Sequence, residues 1–175
     1  MKAFLTSIGE RTTELCKWQL ERLGFEVVLL DEKESWIDKY KKFIFMADKD
    51  CLRIDSDVIP NKNIKKLVSD CWMVQAKTYD LYRNDVWFTS PVFYSKEAID
   101  LIRLNFDLLD KNRPETSAWR LIPKDKLKNL DMIVGIHGFF QDKETIERAK
   151  QNKINRGQIQ DYDFELAERI YESFY

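Results

Sequence analysis

Apolar residues fall into short runs and helical periodicities that follow one another in a regular order along the chain. Continuous apolar runs at residues 3–6, 25–30 and 51–54 predict buried strands. Between the first two strands, apolar residues recur at helical spacing until Gly24, which is typical of a helix end. A strand, a helix and a strand in this order predict a βαβ unit and a parallel sheet.

The rest of the chain continues this alternation. The further predicted helices cover residues 36–47, 61–69, 95–106, 142–149 and 164–174, with a short one entered at Pro114, and the further strands cover 72–76, 86–89 and 132–136. Three lysines of the second helix, Lys39, Lys41 and Lys42, are expected on its solvated face. The elements together predict an α/β fold in a single domain over residues 1–175, with a Rossmann-like, mostly parallel sheet flanked by helices.

Composition narrows the class of protein. The chain has 175 residues, 44% of them hydrophobic, which is enough for one domain with a core. Its charges nearly balance, with a net charge of −1, so no global field would recruit nucleic acid or a membrane surface. No apolar run approaches the roughly 18 residues of a membrane span, and the N-terminal run is too short for a signal peptide.

The cysteines point to a reducing compartment. Cys16, Cys51 and Cys71 are odd in number, and their spacing matches no zinc or redox motif. Reduced, buried thiols are the natural interpretation, and we therefore expect a soluble, cytoplasmic protein.

An Asp-x-Asp motif occurs three times, and its position distinguishes the copy at Asp55 and Asp57. Only this copy is preceded by a predicted buried strand and followed by an apolar pair and a proline. In an open α/β sheet, ligands bind just beyond the carboxyl ends of the strands. Two carboxylates at such an edge, with Arg53 as the only neighbouring cation, favour a divalent metal ion.

Two further polar residues end predicted strands. Asp31 follows the second strand, where an acidic residue can accept hydrogen bonds from a ribose or a base. His137, the only histidine, ends the strand at 132–136. With Asp55 and Asp57 it would form an oxygen-rich metal site with open positions for a diphosphate. The alternative for His137 is a structural or surface role.

The loop after the first strand is a candidate phosphate site. It leads into a helix N-terminus and carries Gly9 and Arg11, which suit an anion. The loop contains neither the three-glycine dinucleotide pattern nor the Gly-Lys-Ser/Thr of a P-loop.

These residues resemble a small glycosyltransferase of the GT-A fold, from residue 3 to about residue 156. The resemblance implies that the first loop holds the nucleotide and that Asp31 lies near the uracil or ribose. It also implies that Ile54-Asp55-Ser56-Asp57 is the motif that binds metal and ribose. The implied nucleotide-sugar-binding residues are Thr6, Ser7, Gly9, Arg11, Asp31, Asp55 and Ser56, and the implied metal ligands are Asp55, Asp57 and His137.

The same resemblance implies a mechanism. A nucleotide-diphosphate sugar, with a UDP-sugar favoured, would give its sugar to an acceptor hydroxyl in the presence of Mn²⁺ or Mg²⁺. Asp57 and Glu115 are the implied catalytic residues, with Asp57 on the metal and Glu115 as the base. Asp55 would contact the ribose or a metal-bound water. Further positive charge would come from Arg11, Lys150, Lys153 or Arg156.

The resemblance also divides the chain by role. Residues 1–90 would bind nucleotide and metal, residues 91–140 would form the acceptor side, with the segment at 88–93 facing the acceptor, and residues 141–175 would form a helical segment. Glu115 is followed by Thr116 rather than by a second acid, so inverting and retaining chemistry both stay open. The chain is short for this fold and has little structure of its own for binding an acceptor. A second copy or a partner protein could supply it.

Two alternatives remain. A non-catalytic carbohydrate- or protein-binding module could use the same fold, since fold does not fix function. A phosphatase of the haloacid-dehalogenase type could use Asp55-Ser56-Asp57-Val58 as its nucleophile motif. That class begins with this motif and needs a later acidic metal motif, whereas here a βαβ unit precedes it and the late Gly135-Ile136-His137-Gly138 contains no acid.

Overall fold

The computed structural model describes residues 1–31, 34–155 and 157–173. Within these residues, one seven-stranded sheet is combined with α-helices and short 3₁₀ helices. The strands are β1 (Lys2–Thr6), β2 (Glu26–Leu30), β3 (Cys51–Asp55), β4 (Val58–Pro60), β5 (Met73–Asp80), β6 (Asp85–Tyr94) and β7 (Leu127–His137). The α-helices are α1 (Thr13–Arg22), α2 (Trp36–Met46), α3 (Lys96–Leu104), α4 (Pro114–Leu121), α5 (Lys143–Asn155) and α6 (Glu165–Glu172), and the 3₁₀ helices are Lys62–Leu67, Phe106–Leu108, Lys124–Lys126 and Ile159–Asp161.

The predicted α/β class and the central sheet with flanking helices are confirmed, and the sheet is mixed. Its strand order is β2-β1-β3-β6-β5-β7-β4. The pairs β1–β2, β1–β3 and β5–β7 are parallel, whereas β3–β6, β5–β6 and β4–β7 are antiparallel. Five strands, β1, β2, β3, β5 and β7, run in one direction, which agrees with the expected mostly parallel sheet, and β4 and β6 run against them.

Helices cover both faces of the sheet. Within β1, Ala3 and Leu5 belong to one buried cluster and Phe4 to another, because successive side chains of a strand point to opposite faces. The Phe4 cluster packs against α2, α3 and α4, and the other cluster packs against α1 and the 3₁₀ helix Lys62–Leu67. A strand buried on both faces reads as a continuous apolar run, which is why β1 could be recognised.

Helix starts follow local capping chemistry. Ser35 accepts a hydrogen bond from the Asp38 backbone N–H at the start of α2, and Ser95 accepts one from Ala98 at the start of α3. Pro114 occupies the first turn of α4, where its missing N–H is not needed. Arg156 and Phe174, which the sequence placed in the C-terminal helical segment, lie outside the described residues. No helix in the described part of the chain has both the length and the apolar character needed to cross a membrane.

The topology brings the carboxyl ends of the strands that carry the candidate site to one edge of the sheet. β1 and β3 run parallel, β6 reverses the direction, and β5 and β7 return to it. The carboxyl ends of β1, β3, β5 and β7 therefore lie at the same edge, which they reach at Thr6, Asp55, Asp80 and His137. Helices α5 and α6 pack beside this edge through a small cluster that includes Tyr82, Ile146, Phe164 and Ala167.

Candidate functional site

His137 lies between two aspartates at this edge. Its Nε2 is 3.1 Å from Asp57 Oδ2 and its Nδ1 is 3.0 Å from Asp80 Oδ1. The pairing of β5 with β7 sets Asp80 opposite His137, and the pairing of β4 with β7 sets Val58, the neighbour of Asp57, opposite it as well. The contact between His137 Nδ1 and Asp80 is close but is not aligned as a hydrogen bond. It is therefore mainly an attraction between opposite charges.

These contacts fix the ionisation of the pair. Burial lowers the pKa of His137, but the carboxylates of Asp57 and Asp80 outweigh burial and hold its pKa well above the ordinary value. Burial raises the pKa of Asp57, but the His137 charge dominates and lowers that pKa below its ordinary value. In the absence of a bound cation, the imidazolium and the Asp57 carboxylate therefore form an ion pair.

Arg53 is a buried cation beside this group. Its guanidinium contacts the carboxylates of both Asp55 and Glu115 and lies 4.7 Å from the centre of the Trp36 ring. Asp55 Oδ1 also accepts a 2.8 Å hydrogen bond from Thr6 Oγ1. Arg53 thus ties β3 to the first turn of α4 and neutralises charge on two residues that were predicted to act chemically.

The loop after β1 is organised by Glu10. The carboxylate oxygen Oε2 of Glu10 accepts hydrogen bonds from Ser7 Oγ at 2.8 Å, from the Ile8 backbone N–H at 2.7 Å and from Ser56 Oγ at 2.6 Å. Lys39 is fully buried and donates to the Ser7 carbonyl oxygen. Burial lowers the pKa of Lys39 against the opposing charge of Glu10 and other acids. The expectation that Lys39 lies on a solvated face is wrong, because the Lys39 side chain is buried and its hydrogen bond to Ser7 holds this loop.

A cavity of about 270 Å³ lies between the strand ends and α5, and we call it the α5 cavity. It is lined by Thr6, Ser7, Ile8, Glu10, Trp36, Asp55, Asp57, Tyr82, Glu115, His137, Thr145, Arg148, Ala149, Asn152 and Lys153. Four buried atoms of this lining, Asp57 Oδ1, Tyr82 OH, His137 Nδ1 and Arg148 Nε, have no hydrogen-bond partner within the described chain. Buried polar atoms are ordinarily paired, so this wall suits a polar ligand.

A second cavity of about 460 Å³ adjoins the first along β6 and α4, and we call it the β6 cavity. It is lined by Arg53, Asp55, Met73, Gln75, Asp80, Trp87, Phe88, Thr89, Ser90, Val92, Tyr94, Glu115, Thr116, Trp119, Arg120, His137, Lys153 and Tyr162. Asp55, Glu115, His137 and Lys153 line both cavities, so these four side chains mark the boundary where the two meet.

The structure brings most of the predicted site residues together. Thr6, Ser7, Asp55, Asp57, Glu115 and His137 all line the α5 cavity. Ser56 is fully buried behind this wall, and its hydroxyl donates a hydrogen bond to Glu10. Of the cations, Lys153 lines both cavities, and Arg156 is outside the described residues. Lys150 pairs with Glu168 at 3.5 Å and belongs to the lining of neither cavity.

The nucleotide-binding roles of Gly9, Arg11 and Asp31 remain predictions, because these residues lie outside the two cavities described above. Gly9 has a φ of +95° and shapes the turn, and the Arg11 guanidinium lies 4.3 Å over the Phe140 ring. Asp31 is exposed at the end of β2.

Sequence reasoning missed several residues of the site. Asp80 lies beyond the strand predicted at 72–76, and Tyr82 and Arg148 received no role. Glu10 was only one residue of the first loop, which was expected as a whole to hold the nucleotide. Little in the sequence distinguishes these residues from others. Arg148, two positions after Ile146 on α5, has the placement of an ordinary cation on the exposed face of a helix. The place of Tyr82 depends on a contact between distant parts of the chain, since a Cβ at Gly138 would lie 2.9 Å from the Tyr82 ring.

Few side chains at this edge of the sheet are free to bind Mn²⁺ or Mg²⁺. Among the residues that the structure describes, no three His, Cys, Asp or Glu side chains are arranged to hold an ion together. Asp55, predicted as a ligand, has its Oδ1 engaged by Arg53 and Thr6. Asp57 and His137 remain as a pair of donors, with Asp57 Oδ1 unpartnered. Such a pair fits an ion that also takes ligands from substrate phosphates, as Mg²⁺ commonly does.

Solved structures share this architecture. A 4-diphosphocytidyl-2C-methyl-D-erythritol synthase from Anaerococcus prevotii matches with a TM-score of 0.55 at 10% identity, over 86% of this chain and 95% of the other. A hypothetical transferase from Thermus thermophilus matches with a TM-score of 0.51 at 11% identity, over 83% of this chain and 99% of the other. A glycosyltransferase involved in the glycosylation of the major capsid of PBCV-1 matches with a TM-score of 0.49 at 16% identity, over 87% of this chain and 98% of the other.

The sheet with its flanking helices, together with the first two of these matches, shows a Rossmann-like α/β fold in which one sheet is flanked by helices. At such low identity the likeness establishes the fold alone. No protein-family model and no curated protein matches the sequence. The activity must therefore be argued from the site.

Proposed function

We propose that this protein is a glycosyltransferase that binds a nucleotide-diphosphate sugar in the α5 cavity and transfers the sugar to an acceptor hydroxyl. The observation that carries the proposal is the Asp57–His137 pair at the carboxyl ends of the strands, facing cations of α5 across the cavity. Ligands of open α/β sheets bind at this edge.

The diphosphate would lie between α5 and the strand ends. Arg148 and Lys153 present two positive charges on this side of the cavity, and Arg148 Nε is buried with no partner among the described residues. A guanidinium can bind phosphate oxygens through two parallel hydrogen bonds. The ribose and base would lie toward Thr6, Ser7 and the Ile8 backbone, which form the far wall.

Asp57 and His137 would hold Mn²⁺ or Mg²⁺ against the diphosphate. When bound, the ion supplies positive charge that stabilises the leaving diphosphate. Holding the ion requires His137 to lose its proton, so cation binding and protonation compete at this residue. Asp80 keeps the His137 ring in place from the other side.

Glu115 lies at the boundary of the two cavities, where an acceptor hydroxyl would approach. Its contact with Arg53 fixes its position, as a base must be fixed to reach the hydroxyl proton. Glu115 is therefore proposed as base and as anchor of α4 together.

The test is ligand-dependent stabilisation. Melting temperature would be measured with UDP, GDP and their sugars, each with and without Mn²⁺. We expect one nucleotide to stabilise the protein in an Mn²⁺-dependent way, since a ligand at about 100 times its Kd adds about 2.7 kcal/mol. Asp57→Asn should lose this shift, whereas Asp48→Asn, an exposed site paired with Lys2 outside both cavities, should keep it. A shift that Asp57→Asn retains, or none with any nucleotide, contradicts the proposal.

A non-catalytic module that binds a nucleotide or a carbohydrate is the second candidate. It is favoured by Arg53, which neutralises Asp55 and Glu115, and by the absence of a three-residue metal set among the described residues. Binding of a nucleotide-sugar without release of nucleotide diphosphate in the presence of acceptors would support it. The phosphatase alternative is not proposed, because the unit β1-α1-β2 precedes the Asp55–Asp57 motif, whereas that class begins with the motif.

A further inference from the structure

We infer that the β6 cavity binds a neutral sugar ring of a carbohydrate acceptor, with Trp87 as its aromatic platform. The inference rests on the proposed function, since it names the acceptor class for the transfer proposed above. At about 460 Å³ the cavity falls within the rough range of 300–1,000 Å³ seen for small-molecule sites.

Aromatic rings dominate the outer part of this cavity. Trp87, Phe88, Trp119 and Tyr162 all line it, and Trp87 is 47% exposed. The Arg83 guanidinium lies 4.2 Å over the Trp87 ring and 4.8 Å over the Tyr162 ring. Arg83 thus supports both rings and keeps Trp87 in place without a ligand. Because the Trp87 indole is already held in place, a ligand that binds to it loses little free energy in ordering this side chain. Preorganised aromatic side chains of this kind are typical of recognition sites.

The polar groups of the cavity suit hydroxyl groups. The Gln75 amide N–H₂ donates to Asn129 Oδ1 at 2.9 Å, which leaves the Gln75 carbonyl oxygen as an acceptor. The Thr116 hydroxyl is exposed, and no hydrogen bond within the described residues engages it. An amide and a hydroxyl can each donate to or accept from sugar hydroxyls. Apolar ring faces next to such groups match the alternating C–H and O–H surface of a pyranose.

The charges at the inner wall are largely satisfied internally. Arg53 contacts Asp55 and Glu115, and His137 lies beside Asp80, so these side chains offer little net field to a charged acceptor. The two other cations of the lining are Arg120, which is exposed, and Lys153, which lies at the boundary with the α5 cavity, where the donor diphosphate would take up its charge. A neutral sugar therefore fits the interior better than an anionic one.

The shared boundary gives the bound sugar a reacting partner. Glu115 and Lys153 line both cavities, so an acceptor hydroxyl from the β6 cavity meets the donor sugar at this boundary. The hydroxyl oxygen forms a bond to the donor anomeric carbon, the bond from that carbon to the diphosphate oxygen breaks, and the hydroxyl proton passes to Glu115.

The experiment measures sugar binding directly, without turnover. The probes are the methyl glycosides of glucose, galactose, mannose, xylose, rhamnose and N-acetylglucosamine, observed by saturation-transfer NMR and titrated by tryptophan fluorescence. We expect at least one to bind the full chain. Trp87→Ala should weaken its binding about five- to tenfold, and Trp87→Phe should retain most of it, because an aromatic contact is worth about that factor.

Trp18→Ala is the matched control. Trp18 is also an exposed indole, at 52%, with an Arg22 guanidinium 5.0 Å over its ring, and it lines neither cavity among the described residues. It should leave glycoside binding unchanged. The inference is overturned if no glycoside binds, or if Trp87→Ala binds as the natural chain does. Nucleotide-dependent melting shifts, measured on the same Trp87→Ala protein, report the proposed function separately and should be unchanged.

Discussion

His137 Nε2 lies 3.1 Å from Asp57 Oδ2, although eighty residues of chain separate the two. The contact exists because β4, which directly follows Asp57, pairs with the end of β7. The Gly138 N–H also donates to the Asp57 carbonyl oxygen at 2.9 Å, which locks the two chain segments together. An imidazolium and a carboxylate fixed in this way make stability depend on pH.

The first prediction concerns that pH dependence without added divalent cations. Because the pKa of Asp57 is lowered, its contribution is present above the unfolded value of about 3.9 and is lost as pH falls through the folded value. Because the pKa of His137 is raised, its contribution is complete below about 6.5 and is lost as pH rises through the folded value. The pair should therefore stabilise most between about pH 4 and 6.5.

The measurement is urea unfolding of the natural chain and His137→Gln in the presence of EDTA. Near pH 6 we expect His137→Gln to lower the free energy of unfolding by about 3 kcal/mol, since it leaves buried carboxylates without their cation. The difference should shrink at higher and at lower pH. A difference that stays constant from pH 4 to 9 would show that no ion pair forms.

The second prediction concerns Arg53. Arg53→Met removes a buried cation that contacts Asp55 and Glu115 and leaves two partly exposed carboxylates close together. We expect a loss of about 2–3 kcal/mol, less than for a fully buried pair because water reaches both carboxylates. Arg120→Met, an exposed arginine at the wall of the β6 cavity, should stay within about 0.5 kcal/mol. Equal urea midpoints for the two variants would refute a structural role for Arg53.

The third prediction concerns Glu10. Glu10→Ala leaves the buried Ser56 hydroxyl and the Ile8 N–H without their acceptor, so we expect a cost of about 1–3 kcal/mol. In Ser56→Ala protein the same Glu10 change should cost less, because one of the stranded donors is gone. Hydrogen exchange of the Ile8 amide should accelerate in Glu10→Ala. Additive effects and unchanged exchange would mean that Glu10 does not organise the loop.

The fourth prediction concerns Gly138. A Cβ at this position would lie 2.9 Å from the Tyr82 ring, and φ is +76°. Gly157 has a φ of +63° with nothing within 4 Å of its Cβ position, so Gly157→Ala costs only backbone strain of about 1 kcal/mol. Gly138→Ala should cost at least twice as much and displace Tyr82, whose ring centre is 5.2 Å from that of His137. Equal melting temperatures for the two variants would rule out this packing.

Sequence patterns located the main site because parallel strands end at one edge of a sheet. The apolar runs of β1, β3 and β7 marked where Thr6, Asp55 and His137 would emerge. Asp80 escaped because its strand was predicted to end at residue 76, whereas β5 continues through alternating polar side chains to Asp80. Those polar residues pair with β6 and β7, partners that local sequence does not reveal.

Arg53 shows the other limit of sequence reasoning. A charged residue inside an apolar strand is ordinarily expected to reach solvent, yet Arg53 is fully buried. Its burial depends on Glu115, which lies 62 residues further along the chain and arrives only when α4 packs beside β3. Long-range pairing of this kind is a property of the folded chain rather than of any local pattern.

The most direct test of the central claim uses the single histidine. The claim is that Asp57 and His137 together hold a cation with a nucleotide diphosphate. The NMR signal of the His137 C2 proton, unique because the sequence has one histidine, would be followed during addition of Mn²⁺ with and without UDP or GDP. We predict broadening at substoichiometric Mn²⁺ that strengthens with one nucleotide and disappears in Asp57→Asn. A His137 signal that stays sharp while Mn²⁺ and nucleotide bind would contradict the claim.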